Sequence, residues 1–326
     1  MPRGHVDLPL AAPLLALRKA DIYSALMRID SAAASRDRVL QMETGFRRKI
    51  DAHLAGLPLA NAEFKKFNTS PFVLLFHSKR EGYQRVSQVE RDIIPAKVFS
   101  SMETSAGRMV EEVVLPVYGW EVVPSQMHSP ESVLDGRKTA GNDFLAATLK
   151  SGPRCLNDEM AQQIGRDVVA NVVSWARNHG TQRVEFSYGV LYGTKRQSNK
   201  KDWHILRSMS EVLPDGTNVN EPHRRSWCIG YHSGGVEITA TVRVGIEWWT
   251  YLGGPDAWLE VCIALIRACI TAGPAIANPP EYIISDLAAI LDTSGLPDAY
   301  NVALLQRSQI EWLLFLARHF CDRLDD

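Results

Sequence analysis

The sequence predicts an α/β fold in which a mixed central sheet is flanked by helices, with helical additions at both ends. Residues 1–100 and 246–326 carry apolar residues at three- and four-residue spacing, which is typical of amphipathic helices. Residues 101–245 instead combine helical segments with short apolar runs bounded by turn residues, an order typical of α/β domains. At 326 residues and 45% hydrophobic composition, the chain can form one elaborate domain or two closely packed ones.

The N-terminal region, residues 1–100, is predicted to be mainly helical. Its apolar spacing predicts helices near residues 8–29, 36–55 and 81–100. Between the last two lies FNTSPFVLLFH (67–77), in which the turn residues Asn-Thr-Ser-Pro precede a short apolar segment.

The central region, residues 101–245, alternates between helix and strand patterns. It begins with a predicted helix that is capped by Thr104 or Ser105 and ends before Gly119. The predicted strands lie over 120–123, up to about Asp135, over 144–150, over 183–193 and over 235–245, with a turn over 136–142. A helix is predicted over 156–178, and a basic loop over 194–208 is predicted to run into another strand. After residue 245 the helical pattern returns. A Gly-Gly-Pro break at 253–255 precedes a helix capped by Asp256, and two more helices follow near 281–292 and 301–323.

The composition limits the cellular setting and the kinds of ligand. No apolar run reaches the roughly 18 residues of a transmembrane helix, so no membrane association is expected. The N-terminal apolar patch is interrupted by Asp7, which favours a cytoplasmic protein, with a secretory signal as the alternative. The five cysteines are widely spaced and form no CxxC pair, which favours a reducing compartment and argues against a zinc site. No phosphate-binding loop is present, so no nucleotide cofactor is expected.

Lys150 ends an otherwise apolar predicted strand, AATLK, just before Ser-Gly-Pro. An edge strand with a solvated lysine would explain it. The alternative is a metal-dependent phosphodiester-cleaving site, which needs carboxylates to hold a divalent cation and a nearby positive charge. Residues two apart on a strand share a face, so Thr148 and Lys150 are expected to point to one site, and Asp135 is expected to lie beside them across a hairpin.

A second carboxylate is needed for such a site, because Thr148 is a poor ligand for Mg²⁺. Glu103, Glu111 and Glu112 lie on the preceding helix, and we favour Asp135 together with Glu111, with Glu112 as an alternative. Asp143 is a further alternative, although seven residues of strand would separate it from Lys150 by roughly 23 Å.

A wider pattern resembles a known family. The segments FNTSPFVLLFH, GRMVEEVVLPVYG, LKSG, GVLYGTKRQSNKKDWHILRS and VRVGIEWWTYLGG are similar in order and spacing to segments of EcoO-type type II restriction endonucleases, which cut RGGNCCY-like sites. The resemblance covers roughly residues 67–270. It implies the PD-(D/E)XK superfamily and a restriction-endonuclease-like sheet, with Thr148 standing where the motif has an acid. That family carries a short hydroxyl residue at this position, so Thr148 is expected as a family trait rather than a lost site.

The resemblance implies a type II restriction endonuclease of a restriction-modification system, cutting a palindromic or interrupted palindromic site in double-stranded DNA. It implies Mg²⁺ as cofactor and a homodimer, because dimer symmetry matches the symmetry of the site. Residues 1–100 would embrace DNA or dimerise, residues 101–245 would form the catalytic core, and residues 246–326 would pack on that core. Asp135, Glu111, Thr148 and Lys150 would form the catalytic site. The alternatives are a repair or processing nuclease of the same fold, or an inactive DNA-binding protein.

Two basic clusters are candidates for DNA contact, although each could equally be a solvated loop. The predicted DNA-binding residues are Lys195, Arg196, Asn199, Lys200 and Lys201 in the first cluster, and Arg224 and Arg225 in the second. The net charge of −1 neither supports nor excludes DNA, because positive charge can be confined to one cleft.

Overall fold

The computed structural model describes residues 11–57, 71–124, 129–198, 200–215, 217–220, 227–271, 282–297 and 300–326. Its strands are β1 (Ala16–Arg18), β2 (Glu121–Val122), β3 (Gly136–Ala140), β4 (Asp143–Lys150), β5 (Arg183–Val190), β6 (Cys228–Ser233), β7 (Val236–Val244) and β8 (Arg323–Asp325). Its α-helices are α1 (Lys19–Ser31), α2 (Ala33–Ala55), α3 (Pro71–Glu81), α4 (Val86–Val117), α5 (Asp158–Asn178), α6 (Lys201–Val212), α7 (Ile246–Gly253), α8 (Ala257–Cys269), α9 (Leu287–Leu291) and α10 (Ile310–Ala317).

A six-stranded mixed sheet organises these elements, as an α/β fold requires. The strand order is β2-β3-β4-β5-β7-β6. The neighbours β4, β5 and β7 run parallel, and the other pairs are antiparallel. The short strands β1 and β8 pair in parallel and join the two ends of the described chain.

Helices cover both faces of the sheet, and a separate hydrophobic cluster forms on each face. On one face, α5 and α6 pack over a cluster that includes Trp175, Phe186 and Trp203. On the other face, the terminal helices and α4 share a cluster with Ala147 and Leu149 of β4. The strand is therefore buried on both sides, as expected for a strand with a parallel neighbour inside a layered domain.

The N-terminal and C-terminal helices belong to the same core. Helix α2 packs against both α8 and α4, and α1 contacts α8. Side chains of α1, α2, α8 and α10 all contribute to the cluster on that face of the sheet. Among the described helices, none is both long enough and apolar enough to cross a membrane.

Several predicted boundaries are wrong. The helices predicted near 81–100 and from residue 104 onward are one continuous helix, α4, which also includes Pro95. The Thr104 hydroxyl donates to the Ser100 carbonyl within this helix, so Thr104 is not a cap. The proposed boundary at residue 100 therefore falls inside a helix. The predicted helix near 8–29 begins only at Lys19, after β1, and residues 1–10 lie outside the described part.

The central hairpin and the basic segment also differ from prediction. Strand β3 occupies most of the predicted turn over 136–142, so Asp135 precedes this strand instead of ending one. The tight turn lies at Gly141, whose φ of +62° is readily adopted by glycine. The basic segment leads into α6 and not into a strand, because the buried residues Trp203, Leu206 and Met209 recur every three residues.

The remaining differences lie toward the C-terminus. Strand β6 is not among the predicted elements, although it pairs with β7 along the edge of the sheet. Segment 67–77 contributes Pro71 onward to helix α3. Asp256 stands at the start of α8, but its carboxylate makes no capping bond and pairs with Arg28. The last two predicted helices are short, as α9 and α10.

Candidate functional site

A cavity of about 740 Å³ opens where α4 and α2 meet the ends of β2 and β4. Half of its lining residues carry charged side chains. Its lining consists of Lys49, Glu103, Thr104, Gly107, Arg108, Glu111, Glu112, Val122, Val123, Pro124, Asp135, Leu149, Lys150 and Ser151. The volume is in the range of small-molecule and cofactor sites.

The structure brings Glu111, Asp135 and Lys150 together in this cavity from three different elements. Glu111 comes from α4, Asp135 from the residue before β3, and Lys150 from the last position of β4. The register pairs Gly136 with Ala147, which sets Asp135 opposite the end of β4. The hairpin therefore delivers the aspartate and the lysine to one place, and α4 crosses above them with the glutamate.

Backbone hydrogen bonds fix the carboxylate of Asp135. Its amide donates to the Ala147 carbonyl at 2.8 Å, which continues the β3–β4 ladder by one residue. The amide of Leu149 donates to the Asp135 Oδ2 atom at 2.6 Å. A charge-assisted bond of this kind orients the carboxylate more firmly than a bond between neutral groups.

Burial and the proximity of two carboxyl groups shift their pKa values upward. Burial, followed by the negative charge of Asp135, raises the pKa of Glu111 to about 8, against the opposing charges of Lys150 and Arg108. Burial also raises the pKa of Asp135, while the hydrogen bond from Leu149 and the charge of Lys150 act in the opposite direction. Two carboxyl groups in such an environment favour a shared proton or a bound cation over two free negative charges.

Helix α4 presents two parallel rows of side chains to the cavity. One row contains Glu103, Gly107 and Glu111, and the other contains Thr104, Arg108 and Glu112. The spacing of four residues keeps each row on one face of the helix. A Cβ atom at Gly107 would lie 3.5 Å from the Cβ atom of Ser151, so α4 passes in close contact with the chain after β4.

Lys49, Arg108 and Glu112 form a second group of charged side chains in the cavity, here called the second wall. Glu112 accepts hydrogen bonds from Lys49 of α2 and from Arg108, the latter at 2.8 Å. The hydrogen bond from Lys49 is the main reason that the pKa of Glu112 is lowered. Glu112 therefore stays negative and is paired, whereas Glu111 faces Asp135 and Lys150.

Thr148 is placed differently from the prediction. Its side chain is 3% exposed, does not line the cavity, and donates a hydrogen bond to the Val133 carbonyl at 2.6 Å. It lies on the opposite face of β4 from Leu149. This bond ties β4 to the chain two residues before Asp135, so the contact of Thr148 with the site is indirect.

Asp143, the alternative aspartate, is also separate from the cavity. It stands at the other end of β4 from Lys150, and its carboxylate pairs with Arg183 at 2.5 and 2.9 Å. Strand geometry explains the separation, since seven residues of extended chain span roughly 23 Å.

The carboxylates of the cavity are candidate ligands for a divalent cation. Among the described residues, no group of three or more His, Cys, Asp or Glu side chains is arranged to hold a metal ion. Mg²⁺ is commonly held by one or two carboxylates and completes its octahedron with water and substrate phosphates. Asp135 and Glu111 are the two carboxylates that would hold such an ion, since both line the cavity beside Lys150.

The predicted DNA-binding residues differ in how exposed they are and in whether they form an ion pair. Lys195 pairs with Glu247 at 2.7 Å and lies over the Trp227 ring, with only 13% of its side chain exposed. Arg196 and Lys200 are exposed, and Lys201 lies 3.6 Å from Asp158. Asn199, Arg224 and Arg225 lie outside the described residues.

Lys49 and Arg108 are not among the site residues predicted from the sequence. The four-residue spacing of Arg108 and Glu112 is a signal for an ion pair that faces the same way as the predicted site. Lys49 gives no such signal, because it reaches Glu112 from 63 residues away in the chain.

Neither the protein-family models scanned nor the curated proteins searched gave a match to this chain.

Proposed function

We propose that this protein is a Mg²⁺-dependent endonuclease that hydrolyses phosphodiester bonds in duplex DNA. We further propose that it acts as a type II restriction endonuclease, a homodimer that makes double-strand cuts at a short palindromic or interrupted palindromic site. The convergence of Glu111, Asp135 and Lys150 in one cavity is the observation that carries the proposal. The family resemblance of the sequence supplies the finer part, namely the site-specific cleavage and the dimer.

Each residue has a chemical role in this proposal. Asp135, oriented by the Leu149 amide, and Glu111 hold the divalent cation. When bound, Mg²⁺ neutralises charge on the scissile phosphate and lowers the pKa of an attacking water. The ammonium of Lys150, which stands beside both carboxyl groups, stabilises negative charge that develops on the phosphate.

An inactive DNA-binding protein is the second candidate, and Thr148 is the observation that favours it. A hydroxyl residue buried at the position of the motif's acid contributes no ligand to the cavity. Glu111 compensates for this in the leading proposal. A repair or processing nuclease of the same fold would use the same residues and would differ only in where it cuts.

Incubation of the purified protein with a long phage DNA, with Mg²⁺ or with EDTA, tests the proposal. Discrete fragments that form only with Mg²⁺ are expected. A smear would identify a processing nuclease instead. Duplex binding without cleavage would identify the inactive DNA-binding protein.

Two aspartates of the same hairpin provide a matched pair of variants for this assay. Asp135→Asn is expected to abolish cleavage while DNA binding is retained, because the cation loses a ligand. Asp143→Asn is the control, since Asp143 pairs with Arg183 at the far end of β4.

Lys150→Ala is expected to behave like Asp135→Asn. Normal cleavage by either variant would remove that residue from the mechanism.

A further inference from the structure

In the second wall of the cavity, two positively charged side chains share one acidic partner. Lys49 and Arg108 both bond to the carboxylate of Glu112, so two positive charges face one negative charge. Both cations are accessible, with 40% and 76% of their side chains exposed. They line the same cavity as Glu111, Asp135 and Lys150.

The geometry of α4 sets the length of the surface that a ligand would follow. The cavity-lining residues of this helix run from Glu103 to Glu112. Nine residues of helix rise about 13 Å, which matches the axial rise of about four nucleotides of one strand of duplex DNA. Arg108 precedes Glu111 by three residues, or about 4.5 Å along the helix axis. A phosphate next to one held at Glu111 would therefore lie within reach of Lys49 and Arg108.

We propose that Lys49 and Arg108 bind a backbone phosphate adjacent to the scissile phosphate, and that Glu112 holds both cations in place until the strand binds. The inference rests on the proposed function and deepens it by assigning residues that follow one DNA strand along α4. The phosphate replaces Glu112 as the partner of at least one cation. Contacts of this kind position the strand and carry no sequence information.

Binding of a fluorescein-labelled duplex oligonucleotide to the full chain tests the proposal, measured by anisotropy in EDTA over a series of KCl concentrations. Arg108→Gln and Lys49→Gln are each expected to weaken binding and to lower the slope of log Kd against log salt by about one. Arg108→Lys keeps the charge and is expected to keep the wild-type slope. Circular dichroism spectra and Tm values that match the wild type establish that each variant is folded.

Glu112→Gln distinguishes a phosphate site from a structural ion pair, because only the phosphate site predicts tighter DNA binding by this variant. If the cations serve a phosphate, removal of the competing carboxylate tightens DNA binding. If the pair is structural, the same variant lowers Tm and leaves binding unchanged or weaker, which would overturn the proposal.

Arg207→Gln is the matched control for Arg108→Gln. Arg207 donates from Nε to Glu211 at 2.8 Å with the same four-residue spacing, but it lies on α6 across the sheet from the cavity. It is expected to bind DNA as the wild type does.

Wild-type affinity and salt slope in both Arg108→Gln and Lys49→Gln would overturn this inference and leave the proposed function intact. A wild-type protein that neither binds nor cuts duplex DNA would instead refute the proposed function itself.

Discussion

Glu111 shows how neighbouring groups change the chemistry of a single residue. In water its carboxyl group would be ionised at neutral pH, but burial and the charge of Asp135 raise its pKa to about 8. Lys150 and Arg108 oppose this shift only in part. The same environment that makes a free negative charge costly favours a bound cation, which connects the pKa of Glu111 to its proposed role.

The raised pKa of Glu111 predicts how stability varies with pH in the metal-free protein. Between its ordinary value of 4.5 and about 8, the folded state binds a proton that the unfolded state releases. The free energy of unfolding therefore falls as pH rises through this window. Glu111→Gln is expected to weaken this dependence, leaving the part that comes from the raised pKa values of Asp135 and Asp202. The variant is expected to be more stable than the wild type above pH 8, by about 2 kcal/mol after allowance for partial exposure.

Urea unfolding in EDTA across this pH range measures the effect of Glu111→Gln. Glu103→Gln, two turns earlier in the same row of α4, is the control and is expected to keep the wild-type slope. Parallel curves for the wild type and Glu111→Gln would show that Glu111 does not bind the proton.

At the scale of elements, the segment that carries the basic residues 195–201 is anchored at both ends. Asp202, at the start of α6, is completely buried and accepts hydrogen bonds from Ser198 at 2.7 Å and Tyr188 at 3.3 Å. Burial raises the pKa of Asp202 to about 6. At the other end, Thr194 donates to Asp322 at 2.6 Å. The position of the segment thus depends on the sheet and on the C-terminal region.

Asp202→Ala is expected to loosen this segment. The change leaves the buried hydroxyls of Ser198 and Tyr188 without their acceptor, and each such loss costs about 1–3 kcal/mol. We expect a lower Tm and faster trypsin cleavage between residues 195 and 201. Ser198→Ala removes one of the two bonds and is expected to have a smaller effect. Equal trypsin rates in wild type and Asp202→Ala would mean that Asp202 does not anchor the segment.

At the scale of the whole molecule, a buried ion pair joins the two helical ends of the chain. Arg38 of α2 donates two hydrogen bonds to Glu260 of α8, at 2.7 and 2.6 Å. Tyr118, at the end of α4, donates to the same carboxylate at 2.7 Å. Glu260 is 1% exposed, so this network links three helices inside one hydrophobic cluster. The terminal regions are therefore part of the layer that carries Glu111.

Glu260→Ala is expected to destabilise the whole protein rather than one end. Loss of a buried partner costs about 3–5 kcal/mol because Arg38 and Tyr118 lose their acceptor. Urea unfolding followed by far-UV circular dichroism and by tryptophan fluorescence should give one coincident transition at a lower midpoint.

Asp256→Asn is the control for the Glu260 variant. It breaks a pair between the same helix and Arg28 of α1, but the Arg28 side chain is 58% exposed. The expected loss is below about 1 kcal/mol. Two separate transitions in the wild type or in Glu260→Ala would show that the terminal helices fold as an independent domain.

The sequence by itself determined the fold class and the local patterns. Apolar spacing was enough for the helices α2 and α5 and for the strands β4, β5 and β7, because burial on one or two faces imposes a period on the chain. It was not enough for α6 or for the continuity of α4 past residue 100, where tertiary packing overrode local signals. The residues Glu111, Asp135 and Lys150 could be chosen as candidates because their elements follow each other closely in the chain.

Only the tertiary structure decided which of these residues meet. The folded chain pairs Asp143 with Arg183 at the far end of β4, and the Thr148 hydroxyl bonds to the Val133 carbonyl instead of lining the cavity. The packing of α2 beside α4 brought Lys49 to Glu112, a contact that no spacing in the sequence encodes. Periodicity records whether a residue is buried, whereas the partners of a charge depend on how distant elements pack in space.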